Sequence, residues 1–222
     1  MAVVTNIGFT ATDQTNASFT LAATVPAGAT IIVAAEETSA SAITFTSGQI
    51  TDSAGNTYIL AETVGNGVAT GGNAMWYCPN ALGISAGTIR YTKAGAASDN
   101  ARMTACYFTG SEVFDPAVKG ANTSGSSTGL TITSGTPSEP GEVLFGYCES
   151  SGGTLTNDAA WTMLNQTTGF IFFILSTRVN SGGSPVTFHP TWSTAAPCGG
   201  IIIGFGIPVP KVAGMNMPML GF

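Results

Sequence analysis

Short β-type runs separated by turn residues are the feature of this chain that most restricts its fold. Runs of about five to nine residues rich in Val, Ile, Thr, Tyr and Phe recur, and clusters of Gly, Ser, Asn or Pro separate them. This spacing is typical of strands joined by turns. The predicted strands are 3–10, 18–24, 30–36, 57–63, 74–77, 88–92, 102–108, 130–133, 142–148, 170–179, 186–192 and 200–207.

Helical signals are almost absent. No window combines an N-cap with a 3.6-residue apolar period over about 12 residues. The strongest local helical signal is at 157–164, where Asn157 or Asp158 can cap one short turn. Continuous apolar runs at 30–35 and 170–175 predict strands covered on both faces. We expect a second sheet on one face and a loop or a neighbouring subunit on the other. No internal repeat with a fixed period is visible.

Many short strands, Gly-rich turns and long connections at 111–129 and 149–160 predict an all-β fold. The architecture that fits them is a two-sheet antiparallel sandwich of the jelly-roll kind. We assign residues 1–207 to this one domain. Beyond Ile207, three prolines oppose both a helix and a central strand. Residues 208–222 are therefore predicted to form an extended C-terminal arm.

The apolar composition of the arm predicts that it docks on a partner surface. Three of the seven methionines fall there, and Met suits adaptable contact surfaces. A frayed terminus is the alternative. The residues expected in contacts between subunits are Pro208, Val209, Pro210, Met215, Met217, Met219, Leu220 and Phe222.

Scarcity of charge is the second constraint. Only 8% of the residues are Asp, Glu, Lys or Arg, whereas an ordinary soluble domain has about 25%. Hydroxyl, amide and glycine groups must cover the surface, or other subunits must bury it. The net charge is −6 and the six basic residues are scattered, so we expect no nucleic-acid partner.

No membrane or secretory segment is predicted. The longest apolar runs are shorter than the ~20 residues of a membrane helix, and the first residues lack the basic and apolar regions of a secretory signal. We therefore expect synthesis in a cytoplasm and no membrane insertion.

Candidate catalytic residues are few, and we expect no enzymatic activity. Glu36 and Glu37 are adjacent, so their side chains lie on opposite faces of a strand. The other acidic candidates are Asp52, Glu142 and Glu149. A hydrolase that uses Glu36 or Glu149 is an alternative, because glycosidases pair two carboxylates. His189, the single histidine, has no Gly-x-Ser-x-Gly motif to act with, and we expect a hydrogen-bonded or surface imidazole.

No metal or cofactor is expected. The four cysteines lack C-x-x-C spacing, and buried free thiols are expected, with two disulfides as the alternative. They are Cys78, Cys106, Cys148 and Cys198. In the segment TDSAGNTY at 51–58, Asp52 and Asn56 predict a tight turn. Calcium binding by the same oxygens is the alternative.

Three tryptophans are the aromatic candidates, namely Trp76, Trp161 and Trp192. In a β domain of this size such residues are usually core or interface anchors. An exposed indole would instead stack on a sugar ring. A receptor- or glycan-binding module of a fibre or adhesin is therefore the alternative function.

Several short motifs resemble jelly-roll proteins found among the virion components of tailed bacteriophages. They are DSAGNTY at 52–58, MWY at 75–77 followed by Asn80, TIRYT at 88–92 and YFTG at 107–110. The likeness spans about residues 15–205 and supplies no catalytic residues. It implies a non-enzymatic virion protein, most specifically a capsid decoration or cement protein. Such a protein is expected to form a homotrimer and to contact other virion proteins such as the major capsid protein.

Overall fold

A computed structural model describes residues 3–10, 17–39, 43–67, 71–95, 100–167 and 172–207. Antiparallel β-sheet dominates these ranges, and a short 3-10 turn at Ser47–Gln49 is the helical element among them. The predicted all-β sandwich is confirmed. The arm at 208–222 lies outside the described residues. No helix in these ranges is long and apolar enough to cross a bilayer.

Two large sheets form the sandwich. Sheet I has the order β1-β8-β3-β6-β5. Its strands are β1 (Val3–Phe9), β3 (Thr30–Thr38), β5 (Ile59–Val64), β6 (Gly72–Cys78) and β8 (Asn100–Thr109). Sheet II has the order β12-β16-β11-β14-β13, and β9 also pairs with β16. Its strands are β9 (Val113–Gly129), β11 (Val143–Ser150), β12 (Leu155–Thr156), β13 (Thr162–Gln166), β14 (Phe172–Val179) and β16 (Thr191–Gly206).

Two small sheets complete the fold. Flanking sheet I has the order β2-β7-β4, and flanking sheet II pairs β10 with β15. Their strands are β2 (Ser18–Thr20), β4 (Ile50–Asp52), β7 (Thr88–Tyr91), β10 (Ile132–Thr133) and β15 (Thr187–Phe188).

Three apolar cores separate these layers. On β3, Ile31 and Val33 pack in a core with residues of flanking sheet I, whereas Ile32 and Ala34 face sheet II. On β11, Leu144 packs in a third core with residues of flanking sheet II. In the predicted run 170–175, Phe173 and Leu175 of β14 face sheet I and Ile174 packs in the third core, whereas residues 170 and 171 lie outside the described residues. The described parts of both predicted runs are therefore covered on both faces, as predicted. Small sheets of the same chain provide the second cover of β3 and β14, rather than a loop or a neighbouring subunit.

One local prediction is wrong. Residues 113–129, predicted as a connection, form β9 and pair along β16. This strand is rich in Ser, Thr and Gly and largely exposed, so it lacks the apolar alternation that marks a half-buried strand. At 157–164 one short turn forms, as predicted, with Asp158 Oδ1 accepting the Ala160 N–H at 2.9 Å, and β13 begins at Thr162.

The two halves of the chain share one topology. Adding eight to each strand number of sheet I gives β9-β16-β11-β14-β13, which is the pairing order in sheet II. The pair β2-β7 likewise corresponds to β10-β15. The structure is therefore an internal repeat of an eight-strand unit in which seven strands pair alike, and the two copies pack face to face. The exception is the fourth strand of each unit, because β4 pairs with β7 whereas β12 pairs with β16.

Local details of the backbone also repeat. One residue of β5 bulges out between Leu60 and Glu62, and one residue of β13 bulges out between Met163 and Asn165. Pairing across the sheets makes these bulges equivalent, because Leu60 lies opposite the middle of β6 and Met163 opposite the middle of β14. Bulges are specific structural features, so their shared position supports the repeat.

Glycine turns before the two central strands repeat as well. Gly28 precedes β3 with φ +84°, and Gly141 precedes β11 with φ +92°, in the left-handed region that favours glycine. The Gly28 N–H donates to Ala81 O at 2.8 Å, and the Gly141 N–H donates to Asn180 O at 2.7 Å. Equivalent backbone positions are thus held by equivalent hydrogen bonds.

Each half also reaches across to the bulge of the other. On one edge, Asn6 of β1 donates to Leu164 O at 3.1 Å and to Asn165 Oδ1 at 2.8 Å. On the opposite edge, the Lys119 ammonium of β9 lies 3.4 Å from Ala61 O and 3.0 Å from Glu62 Oε2. At both edges, therefore, a side chain from the first strand of one half contacts the bulge of the other half, but the side chains differ.

This repeat is not visible in the sequence because its spacing is not constant. Equivalent residues are 113 positions apart at Glu36 and Glu149, but 97 apart at Phe108 and Phe205. Loops of different length account for the drift. A search for a fixed period cannot detect such a repeat.

Candidate functional site

A pair of acidic residues lies between the two large sheets. Glu36 on β3 and Glu149 on β11 are equivalent residues of the two halves, and each follows alternate residues that face the central core. Their exposed fractions are 0% and 4%. Glu36 Oε2 accepts the Thr38 hydroxyl at 3.2 Å, and Glu149 Oε1 accepts the Asn73 amide at 3.4 Å.

The surroundings of this pair disfavour a second negative charge. Burial, and then the charge of Glu36, raise the pKa of Glu149 well above its usual value, and the hydrogen bond from Asn73 opposes that rise only in part. Burial also raises the pKa of Tyr147, whose hydroxyl has no hydrogen-bond partner among the described residues. Arg102, opposite Glu36 in the sheet register, is buried too.

Of the sequence candidates, the structure brings Glu36 and Glu149 together and places Glu37 elsewhere. Two facing carboxyl groups could exchange a proton, as a hydrolase of the alternative kind requires. Both are enclosed by sheet, and the surface depressions around β9 and β6 are lined by other residues. The arrangement is therefore that of an internal polar cluster at the contact of the two halves.

Glu37 anchors a loop on the opposite face of β3. Its carboxylate accepts the Ala94 N–H at 2.8 Å and the Gly95 N–H at 2.6 Å, and the Tyr91 hydroxyl also donates to it. The prediction that Glu36 and Glu37 lie on opposite faces is confirmed. Three donors satisfy this buried carboxylate and tie the segment after β7 to the sheet.

Asp52 organises the turn predicted at 51–58. Its Oδ1 accepts the N–H groups of Ala54 at 2.9 Å and Asn56 at 3.1 Å, and its Oδ2 accepts the Tyr58 hydroxyl at 2.8 Å. The turn prediction is confirmed, and these bonds occupy the oxygens that a calcium ion would need. Among the described residues, no three His, Cys, Asp or Glu side chains group as metal ligands.

His189 is exposed, and its Nδ1 lies 2.7 Å from the Thr131 hydroxyl. The nearby Asp158 carboxylate accepts the backbone N–H of His189 at 2.8 Å rather than the ring. The imidazole therefore lacks the carboxylate that orients the base of a catalytic triad. The prediction of a hydrogen-bonded surface imidazole is confirmed.

All four cysteines are buried free thiols, which confirms the prediction. Burial raises the pKa of Cys78 and of Cys198 to about 11. Burial raises the pKa of Cys106 and Cys148 as well. Thiols of this kind are not reactive nucleophiles.

The three tryptophans are core residues. Trp76, Trp161 and Trp192 are at most 4% exposed. Their indole N–H groups donate to the carbonyls of Thr46, Thr187 and Ser127, respectively. The expected core anchors are confirmed at these positions. Glycan stacking would require an exposed ring face, and none of these three indoles presents one.

A groove with apolar walls crosses the surface near the start of β9. Three adjoining depressions of about 320, 240 and 250 Å³ form this β9 groove. Pro79 lines the first and second, and Val113 and Phe114 line the second and third. Four of the most exposed apolar residues line it, namely Leu82 (68%), Ile207 (59%), Val113 (51%) and Ile59 (40%).

Acidic side chains line the same groove. Glu112 borders the second depression, and Asp115, Glu139 and Glu142 border the third. No Lys, Arg or His is among the described residues that line the three depressions. The β9 groove therefore joins apolar walls to a concentration of negative charge that is rare on this surface.

Asp115 and Glu142 behave differently within the groove. Burial would raise the pKa of Asp115, but hydrogen bonds from Ser138 and from the Ala117 N–H outweigh burial and lower it. Burial, together with the adjacent charge of Asp115, raises the pKa of Glu142. The carboxyl group of Glu142 is buried, and its side-chain hydrogen bond with Asp115 also raises the pKa of Glu142. A cation placed here would pair with the Glu142 carboxylate and offset the repulsion between Glu142 and Asp115.

The rest of the described surface has little charge. Fifteen of the eighteen charged residues fall in the described ranges, and Arg90 alone of these is well exposed. Five are buried, namely Glu36, Glu37, Arg102, Glu142 and Glu149. Hydroxyl groups and glycine take the place of charge on exposed stretches such as 121–129 of β9.

Comparisons with protein-family models, with curated proteins and with solved structures give no match for this chain. The resemblance to phage jelly-roll proteins therefore stays a prediction from the sequence.

Sequence reasoning missed both groupings of acidic residues. It named Glu36, Glu142 and Glu149 as separate candidates, because strand pairing and sheet packing decide which of them meet. Asp115 carried a weak signal, since it is an acidic residue in a Val113-Phe114-Asp115 run of a segment predicted as a connection.

Proposed function

We propose that this protein is a non-enzymatic structural component that works by assembling with copies of itself and with other proteins. The observation that carries the proposal is the surface: among fifteen described charged residues, only Arg90 is well exposed. Charged side chains normally keep the surface of a soluble monomer from associating. A surface with so few exposed charges is suited to burial against other subunits, as in closed symmetric oligomers.

The distribution of acidic residues supports a structural rather than a catalytic role. Glu37 and Asp52 hold loops through several backbone hydrogen bonds. Glu36 and Glu149 are enclosed where the two halves pack. Each of these groups therefore has a part in the fold itself.

The particular assembly that we propose is a phage virion, because the resemblance of the short motifs points to accessory proteins of that particle. In this proposal the protein is a capsid decoration or cement protein, forms a homotrimer and contacts the major capsid protein. It is made in the host cytoplasm and resides in the virion. The C-terminal arm makes contacts between subunits.

The test is to delete residues 208–222 and to measure assembly. The proposal predicts that the full chain has a solution mass of three times 22.4 kDa and co-sediments with capsids. The shortened chain is expected to lose both properties and to keep its β-type circular dichroism spectrum. A shortened chain with the same mass and the same capsid binding would overturn the role of the arm.

A further inference from the structure

We infer that the β9 groove is the docking surface for residues 208–222 of a second copy of the chain. This inference rests on the proposed function, in which the arm joins subunits, and it names the surface that receives the arm. The evidence is the apolar exposure of the groove, its charge and the point at which the chain leaves the described fold.

The groove is the main cluster of exposed apolar side chains on the described surface. Four of eight large exposed apolar residues line it, and the others, Val3, Phe9, Met163 and Val179, lie elsewhere. Tyr77 stacks on Phe114 at 4.7 Å between ring centroids and both line the second depression. Contiguous exposed apolar surface of this kind marks interaction sites.

The arm matches the groove in composition. Its sequence, PVPKVAGMNMPMLGF, supplies Val, Met, Leu and Phe side chains for apolar walls. Met adapts to irregular surfaces of this kind. The segment contains one cation, Lys211, and no acidic residue.

The β9 groove and the arm carry opposite charges. Glu112, Asp115, Glu139 and Glu142 line the groove without a basic neighbour among the described lining residues. The Asp115 and Glu142 carboxyl groups line the third depression together and can accept hydrogen bonds from the Lys211 ammonium. Lys211 would therefore occupy the third depression, with the apolar residues of the arm along the other two.

The chain leaves the described fold beside the β9 groove, at Ile207. Ile207 is the last described residue, and its side chain lines the third depression. Every copy thus presents a groove and an arm from the same part of its surface. If each copy gives its arm to the next and accepts one in return, a closed ring such as a trimer results.

The experiment uses the full chain with a photoreactive p-benzoylphenylalanine in place of Phe222. Equal amounts of unlabelled and ¹⁵N-labelled chains are unfolded together, refolded as mixed oligomers, irradiated and digested. We expect cross-linked peptides that contain residues 77–82 or 112–115, including pairs with one labelled and one unlabelled member. Val113→Lys should reduce these cross-links at least tenfold, because it places a cation beside Lys211 and removes an apolar wall.

Matched variants separate the groove from general surface effects. Val3 begins β1 as Val113 begins β9, and it is more exposed, at 69%. Val3→Lys should therefore leave the cross-links unchanged. Lys211→Met should reduce them several-fold, whereas Lys211→Arg should retain them.

Other outcomes overturn the inference in distinguishable ways. Cross-links to peptides outside the groove, in a chain that still forms oligomers, would overturn the groove and leave the proposed function standing. Cross-links only between equally labelled peptides would place the arm in the groove of its own chain. That result would overturn the claim that the arm docks on a second copy. A chain that stays monomeric would defeat the proposed function as well.

Discussion

The two halves of this protein share a backbone and differ in the side chains at equivalent positions. Both have the same strand order, the same bulge in the fifth strand and the same glycine before the third. On sheet I Glu36 lies opposite Arg102, whereas on sheet II Glu149 lies opposite Gly199. The topology therefore tolerates large changes in side-chain chemistry at its centre.

The difference is also clear at the surface. Asp115 and Glu142 of the β9 groove correspond, by strand register, to Thr5 and Ala29 of the first half. The acidic residues of the third depression therefore have no counterparts in the first half. Two halves with a similar backbone thus differ in surface charge, and the difference lies beside Ile207, the last described residue.

The largest effect on stability is expected at Gly199, whose equivalent in the first half is the much larger Arg102. A Cβ on Gly199 would lie 2.2 Å from Gly65 O and 2.5 Å from Asn73 Nδ2. We expect Gly199→Ala to lower the free energy of unfolding by about 3 kcal/mol, because backbone must move. Chemical denaturation measures this. Gly48→Ala is the control, since nothing lies within 4 Å of its added Cβ, and an equal loss in both variants would contradict the account.

The next effect concerns the edge where β1 meets β13. Asn165 is buried and its amide donates to Asn6 Oδ1 and Thr104 Oγ1, each at 2.8 Å. We expect Asn165→Ala to cost about 2 kcal/mol, because it leaves buried acceptors unpaired. Thermal unfolding would show the loss, and a melting temperature equal to that of the native chain would refute it.

A third prediction concerns the pH dependence of stability. The pKa of Glu149 is raised in the fold, so the unfolded chain releases this proton at a lower pH than the folded chain does. Its contribution to stability is present below the ordinary value of 4.5 and is lost as pH rises through the folded pKa, with a slope of at most about 1.4 kcal/mol per pH unit. We expect Glu149→Gln to remove this slope and to be more stable than the native chain at pH 8.

Glu37→Gln is the comparison for that experiment. The Glu37 carboxylate accepts hydrogen bonds from Ala94, Gly95 and Tyr91, so its loss should destabilise the fold by about 1–3 kcal/mol. Opposite signs at pH 8 for the two substitutions are expected in urea titrations. If both substitutions changed the free energy of unfolding in the same direction, the environments of the two carboxyl groups would not differ as described.

The smallest effect is expected at the second edge. Lys119 and Glu62 form an ion pair at 3.0 Å with side chains 35% and 25% exposed. We expect Lys119→Met to cost less than about 1 kcal/mol, and the cost should shrink in high salt. If Lys119→Met cost as much as Asn165→Ala, the two edges would not differ in burial as the structure indicates.

The sequence predicted the parts of the fold that local pattern determines. Apolar runs such as 30–36 and 102–108 appear as β3 and β8, and Asp52 forms the turn that its neighbours indicate. These features depend on residues close in the chain. The cover on both faces of β3 and β14 was also predictable, although its source in small sheets of the same chain was not.

The features that the sequence did not predict depend on strand register and packing. Glu36 and Glu149 meet because two sheets pack face to face, and they are 113 residues apart in the chain. The groove requires Pro79, Val113 and Ile207 to converge from three segments. Strand β9 was missed because exposed Ser and Thr residues carry no apolar alternation.

The measurement that tests the central claim most directly is the solution mass of three full-length proteins by light scattering over a range of concentrations. The native chain and Val3→Lys are expected to be oligomers of three 22.4 kDa chains, whereas Val113→Lys is expected to be monomeric. A monomeric native chain at every concentration, or the same mass for both variants, would contradict the claim that the protein assembles through the β9 groove.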